Sequence, residues 1–90
     1  MQEHRSRGTA PNNAEEVFGR VLRELRKEKG VSQEDLAFTS GYHPTYVGQL
    51  ERGKKSPSLR AIMSFAVALE VTGSEILRRI EDQIAGGAGR

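Results

Sequence analysis

The stretch Gln33-Glu34-Asp35-Leu36-Ala37-Phe38-Thr39-Ser40-Gly41-Tyr42-His43-Pro44-Thr45-Tyr46-Val47-Gly48-Gln49-Leu50-Glu51-Arg52 decides how this chain folds. Its periodicity is that of two short helices joined by a tight turn. Leu36 and Ala37 start an apolar face after a polar opening, and Ala37 is small, as a closely crossing second helix requires. Gly41, four positions on, takes the left-handed conformation at no steric cost. Tyr42 is large enough to plug the turn. Pro44 suits the first position of the second helix, where a missing N–H costs nothing. Val47 and Leu50 are three apart and share one face of that helix.

Outward from this stretch, the composition allows one small domain. Ninety residues, 36% of them hydrophobic, support a modest core but not two. No apolar run approaches the ~18 residues of a membrane span, and no charged leader precedes an apolar run, so a cytoplasmic protein without a membrane role is expected. With no cysteine there is no disulfide framework, and His4 and His43 are too far apart in sequence to suggest a metal site. No metal, cofactor or small-molecule ligand is expected. A net charge of +2 is only mildly basic. The placement of Lys and Arg on one surface therefore matters more than their number.

Residues 1–12 lack apolar periodicity and read as a disordered arm. Arg5 and Arg7 in it are either a solvated tail or an arm that reaches a minor groove. The ordered domain is expected over 13–84. Asn13 and Glu16 have capping-box spacing. A first helix then runs to about Glu28, with Phe18, Val21, Leu22 and Leu25 as its stripe. Gly30 fits its C-terminal cap. Ser32, with Asp35 three positions on, caps the second helix, which starts at Gln33. The third starts after His43 and ends at Arg52-Gly53, followed by the basic loop Lys54-Lys55-Ser56-Pro57. Ser58 caps a fourth helix running to about Glu70. Thr72 and Glu75 form a capping box for a fifth, which carries Ile76, Leu77, Ile80 and Ile84. Residues 85–90, rich in glycine, read as a flexible tail.

The expectation is an all-α, compact five-helix bundle. Its core would be Phe18, Leu22, Leu25, Leu36, Ala37, Val47, Leu50, Leu59, Ile62, Phe65, Leu69 and Ile76. The 33–52 pattern is that of a helix-turn-helix unit, whose second helix enters the DNA major groove.

The chain resembles the phage repressor/Cro-like (XRE) family of helix-turn-helix regulators over roughly Phe18 to Leu77. The residues that carry the resemblance are Leu22-Arg23-Glu24-Leu25-Arg26, Gly30-Val31-Ser32-Gln33-Glu34-Asp35-Leu36-Ala37, Tyr46 through Leu59 with its Glu51-Arg52-Gly53 step, and Ala68-Leu69-Glu70-Val71. It implies a lambda-repressor-like DNA-binding domain, usually dimeric on DNA. It maps base reading onto His43, Pro44, Thr45, Gly48 and Gln49, and onto Gln33 a backbone contact that in the family sometimes also supports a base-reading side chain. Gln49 is the best reader, because its amide can pair bidentately with adenine. Pro44 and Gly48 depart from the family pattern, having no polar side-chain group, so specificity would rest partly on DNA shape. Tyr46, Arg52, Lys54 and Lys55 suit phosphate contacts. The resemblance also sets Arg26 opposite Glu51, predicting a structural salt bridge.

The leading function is a sequence-specific transcriptional regulator acting as a homodimer on double-stranded DNA. Leu77, Ile80 and Ile84 are the dimer-interface candidates, with completion of the monomer core as their other role. The alternative is an antitoxin or other protein-interaction module whose main partner is a protein. An enzyme is not expected: no convergent nucleophile, base and orienting group can be found.

Overall fold

A computed structural model of the protein describes residues 13–88. The arm at residues 1–12, with Arg5 and Arg7, lies outside the described residues, as do residues 89–90. Five helices follow one another: α1 (Ala14–Lys29), α2 (Gln33–Ser40), α3 (Pro44–Glu51), α4 (Leu59–Leu69) and α5 (Gly73–Ala88). No strand occurs among the described residues.

Local chemistry sets most of the boundaries. At the start of α2, Ser32 Oγ accepts from the Asp35 N–H at 3.0 Å, and Asp35 Oδ2 accepts from the Ser32 N–H at 3.2 Å. This reciprocal box satisfies two donors that the first turn leaves open. Gly41 ends α2 at φ 85°, where its N–H and that of Tyr42 both reach the Ala37 carbonyl at 2.9 Å. The Tyr42 ring then packs between Tyr46, at 5.1 Å, and Phe65 of α4, at 5.5 Å. The turn is thereby pinned to the core rather than merely allowed by its glycine.

Phe65, Leu22, Leu36, Leu50, Ile76, Val17, Val21 and Val47 are the largest fully buried side chains. They knit α1, α2, α3 and α4 around one centre, and Ile76 docks α5 onto it. Outside that centre, an ion pair and an amide–carboxylate bond fasten α5 to α1. Arg79 donates to both oxygens of Glu28 at 2.8 and 3.1 Å. Gln83 donates to Glu24 at 3.1 Å.

Four expectations need correction. Asn13 makes no side-chain cap; its φ of −103° and ψ of 20° leave the extended region from which a capping oxygen reaches forward. Glu75 does donate its N–H to Thr72 Oγ1 at 3.0 Å, but its carboxylate accepts from Arg78 and Arg79, so the capping box is half formed. Leu59 is 74% exposed rather than core. The buried arc of α4 runs through Ala61, Phe65, Ala66 and Leu69, and Leu59 falls on the opposite side with Met63 and Val67. Ile62 sits at the edge of the arc, half buried. Finally, residues 85–88 continue α5 instead of forming a tail.

Candidate nucleic-acid interface

The angle of α3 is fixed by one buried carboxylate. Glu51, at the last residue of α3, has a side chain only 2% exposed. Its Oε2 accepts from Arg26 Nε at 2.7 Å; its Oε1 accepts from Arg26 Nη2 at 3.0 Å and from Gln33 Nε2 at 2.9 Å. Arg26 also donates Nη1 to the Val31 carbonyl at 3.0 Å. The carboxylate therefore joins α1, α2 and α3, and the arginine extends the tie to the turn between α1 and α2. The hydrogen bond to Glu51 raises the Arg26 pKa above its usual value, against the opposing effect of burial. Such a pair contributes little net stability, but loss of one partner strands the other's charge.

The second constraint on α3 is steric. Gly19, in the middle of α1, is buried directly under the end of α3. A Cβ built there would fall 2.6 Å from the Glu51 carbonyl oxygen and still closer to that of Leu50. Only glycine permits this approach. Gly53, just past α3 at φ 72°, turns the chain against Glu16; a Cβ there would lie 3.0 Å from the Glu16 Cγ. Gly19 is absent from the residues that the sequence singled out. The available signal was a glycine inside an otherwise well-formed helix, which costs about 1 kcal/mol and so calls for a packing reason.

What this scaffold presents is the other side of α3. Thr45 is exposed and Gln49 half exposed, with Val47 and Leu50 fully buried on the inner face. His43 is exposed, but its ring also serves the helix itself, since Nδ1 accepts from the Thr45 N–H at 3.1 Å and so caps α3. In that tautomer Nε2 carries the proton. Pro44, at the first position of α3, is half buried. Gly48 is buried, covered by Arg52 and Gln33, whose Nη1 and Oε1 lie 3.2 and 3.7 Å from where its Cβ would be. It offers room rather than a side-chain contact surface.

Of the residues expected at phosphates, Arg52, Lys54 and Lys55 are exposed in and after the α3 cap. Tyr46 is half buried, its ring held against Tyr42. Gln33 has its amide nitrogen committed to Glu51. Leu77 is 48% exposed, whereas Ile80 and Ile84 are half buried against the core. Among the described residues no helix is long and apolar enough to cross a membrane.

Residues 22–76 match the model of the helix-turn-helix family. The chain belongs to that family. The control protein C.BamHI of Bacillus amyloliquefaciens is 39% identical over 67 residues, which cover 73% of this chain and 83% of that protein. The HTH-type transcriptional regulator DdrOP3 of Deinococcus deserti is 38% identical over 68 residues, or 72% of this chain; the chain spans about half of that relative, 53%. Among solved structures, the restriction-modification controller protein C.AhdI from Aeromonas hydrophila superposes with a TM-score of 0.68 at 48% identity. That match covers 69% of this chain and 94% of C.AhdI.

Proposed function

We propose that this helix-turn-helix protein is a cytoplasmic, sequence-specific regulator of transcription that binds a pseudo-palindromic operator as a homodimer. One observation carries the reading. The Thr45–Gln49 side of α3 faces solvent, while Glu51, Arg26 and Gln33 lock the helix at one angle from behind. A rigid helix with a polar outer stripe fits the major groove, and a dimer would set two of them about 34 Å apart. Gln49 would read a base edge through its amide, Thr45 through its hydroxyl or methyl, and His43 through Nε2; Pro44 supplies apolar contact only. Lys54, Lys55 and Tyr46 would hold phosphates. Because the Gln33 amide nitrogen is committed to Glu51 and its free oxygen cannot donate, its phosphate contact falls to the backbone N–H groups that open α2. Relatives named as transcriptional regulators and control proteins support the reading.

The dimer would form through Leu77, the most exposed of the three candidates on α5. It borders a shallow groove with Phe18, Pro57, Ile62 and Ile80. Ile80 and Ile84 would contribute their outer edges. Sedimentation equilibrium checks this: Leu77→Glu is expected to shift the protein to monomer and to reduce operator affinity. A wild-type protein that stays monomeric at high concentration rejects the interface.

A second reading, a module whose main partner is a protein such as a toxin, draws on the outward apolar residues Leu59, Met63 and Val67 of α4. Gel retardation of genomic fragments under excess non-specific competitor separates the two. Retardation of particular fragments supports the regulator; its complete absence supports the protein partner.

A further inference from the structure

Thr45, Gly48, Gln49 and Arg52 are spaced i, i+3, i+4 and i+7, and so share one face of α3. The third side chain along that face belongs to Arg52, because Gly48 has none. Side chains on a helix lean toward its N-terminus. Here the lean is realised: Arg52 Nη1 lies 3.2 Å from where the Gly48 Cβ would be. The guanidinium is folded back one turn over the notch, beside Gln49, rather than extended past the C-terminal end of α3. Among the described residues no hydrogen bond or ion pair engages this guanidinium, so its donors are available.

The other wall of the notch is Gln33. Its Nε2 donates to Glu51, which fixes the amide so that Oε1 is the free end. That oxygen lies 3.7 Å from the same Gly48 point. An acceptor and a five-donor fork thus face one small space on the groove side of α3. A lysine-like phosphate clamp has no need of this arrangement. A guanidinium lying over the notch, with its donors unpaired, offers a planar fork that matches the two acceptors of one base edge.

We propose that Arg52 is a base reader that takes guanine, through paired N–H bonds to N7 and O6, with Gln33 as its positioning residue and Gly48 as the clearance that admits it. This rests on α3 being the groove-facing helix. The preference is for a guanine in each half-site, next to the base taken by Gln49.

The test is selection of randomised duplexes by the intact protein, followed by binding measurements on the selected site. Arg52→Lys, which keeps the charge but not the fork, is expected to relax one G·C position per half-site and leave the other positions selected. Replacing that guanine by 7-deazaguanine should weaken wild-type binding about tenfold or more, and Arg52→Ala binding not at all. Gly48→Ala should relax the same position without lowering the melting temperature, since only the mobile end of Arg52 must move. Gln33→Ala should relax that position more than any other, where a merely structural role would weaken all positions alike. The proposal is overturned if Arg52→Lys selects the wild-type site. It is also overturned if Arg52→Ala weakens every duplex equally and lowers the salt slope by about one, the signature of a phosphate contact. A wild-type protein that selects no sequence overturns the DNA-reading assignment itself.

Discussion

Gly19→Ala isolates the contact on which the position of α3 depends. Considered on α1 alone, the change is favourable by about 1 kcal/mol, because alanine is the better helix former. The structure predicts the opposite net sign. The new methyl carbon would sit 2.6 Å from the Glu51 carbonyl oxygen and 2.9 Å from its carbonyl carbon, with the Leu50 oxygen nearer still. A carbon–oxygen contact needs about 3.3 Å, so α3 must retreat by at least about 0.7 Å. Both obstructing atoms are backbone, and no side-chain rotation relieves them. The retreat occurs at the residue whose carboxylate takes the 2.7 and 3.0 Å bonds from Arg26, so it also stretches the tie between α1 and α3. Overpacking of this kind costs about 1–3 kcal/mol, at times more. With the loosened ion pair added and the helix-propensity gain subtracted, a net loss of about 2 kcal/mol is expected. For a domain this small, that lowers the melting temperature by about 8–16 °C. Thermal unfolding followed by far-ultraviolet circular dichroism reads it directly. An unchanged or higher melting temperature would refute the close crossing, because only the propensity gain would then be acting.

The other expectations concern charges and one strained cap. Arg26→Met leaves the Glu51 carboxylate with the Gln33 donor alone in a site 2% exposed; urea unfolding should show a loss of about 3–5 kcal/mol, and a loss under about 1 kcal/mol would sink the assigned role. Glu70 caps α4 at φ 61°, a conformation that costs a non-glycine residue about 1–2 kcal/mol. Glu70→Gly should therefore raise the melting temperature by a few degrees, after the entropy that glycine adds to the unfolded chain and loss of the exposed pair with Lys29 are discounted; a fall would contradict it. Arg79 holds the Glu28 and Glu75 carboxyls below their usual value of 4.5, and Arg78 adds to the effect at Glu75. Depressed folded-state values mean that this stabilisation is complete above the unfolded value and is lost as pH falls below about 4.5. Melting curves across pH 6 to 3 should show a smaller acid-induced drop for the Glu28→Gln, Glu75→Gln double variant than for wild type, and parallel curves would count against the pairs.

What was legible in the sequence was mostly what acts over a few residues. Ser32 with Asp35, Gly41 and Pro44 each work through their own dihedrals or a neighbour's N–H, and each stands where its chemistry indicates. The inward faces of α1 and α3 were equally plain, since Leu22, Leu25, Val47 and Leu50 repeat at helical spacing. Leu59 shows the limit: hydrophobicity named the larger residue, whereas the arc centred on Phe65 buries Ala61 in its place. The end of α5 shows another. Gly86 and Gly87 suggested a tail, but once Gln83 and Ile84 are docked on the body, adding a turn no longer bears the cost of nucleation. At the candidate site, the sequence pointed to the exposed residues of α3 but not to what sets their geometry. That His43 caps α3, that Gly19 admits it and that Gly48 lodges a guanidinium all depend on distances between elements or on rotamers, and residue spacing does not carry these.

The most direct test of the central claim is equilibrium binding of wild type and Gln49→Ala to two duplexes at one salt concentration, the selected operator and a scrambled sequence of equal length. If the outer face of α3 reads bases, the variant loses about 1–3 kcal/mol on the operator and nothing on the scrambled duplex. Equal losses on both, or none on either, would contradict it.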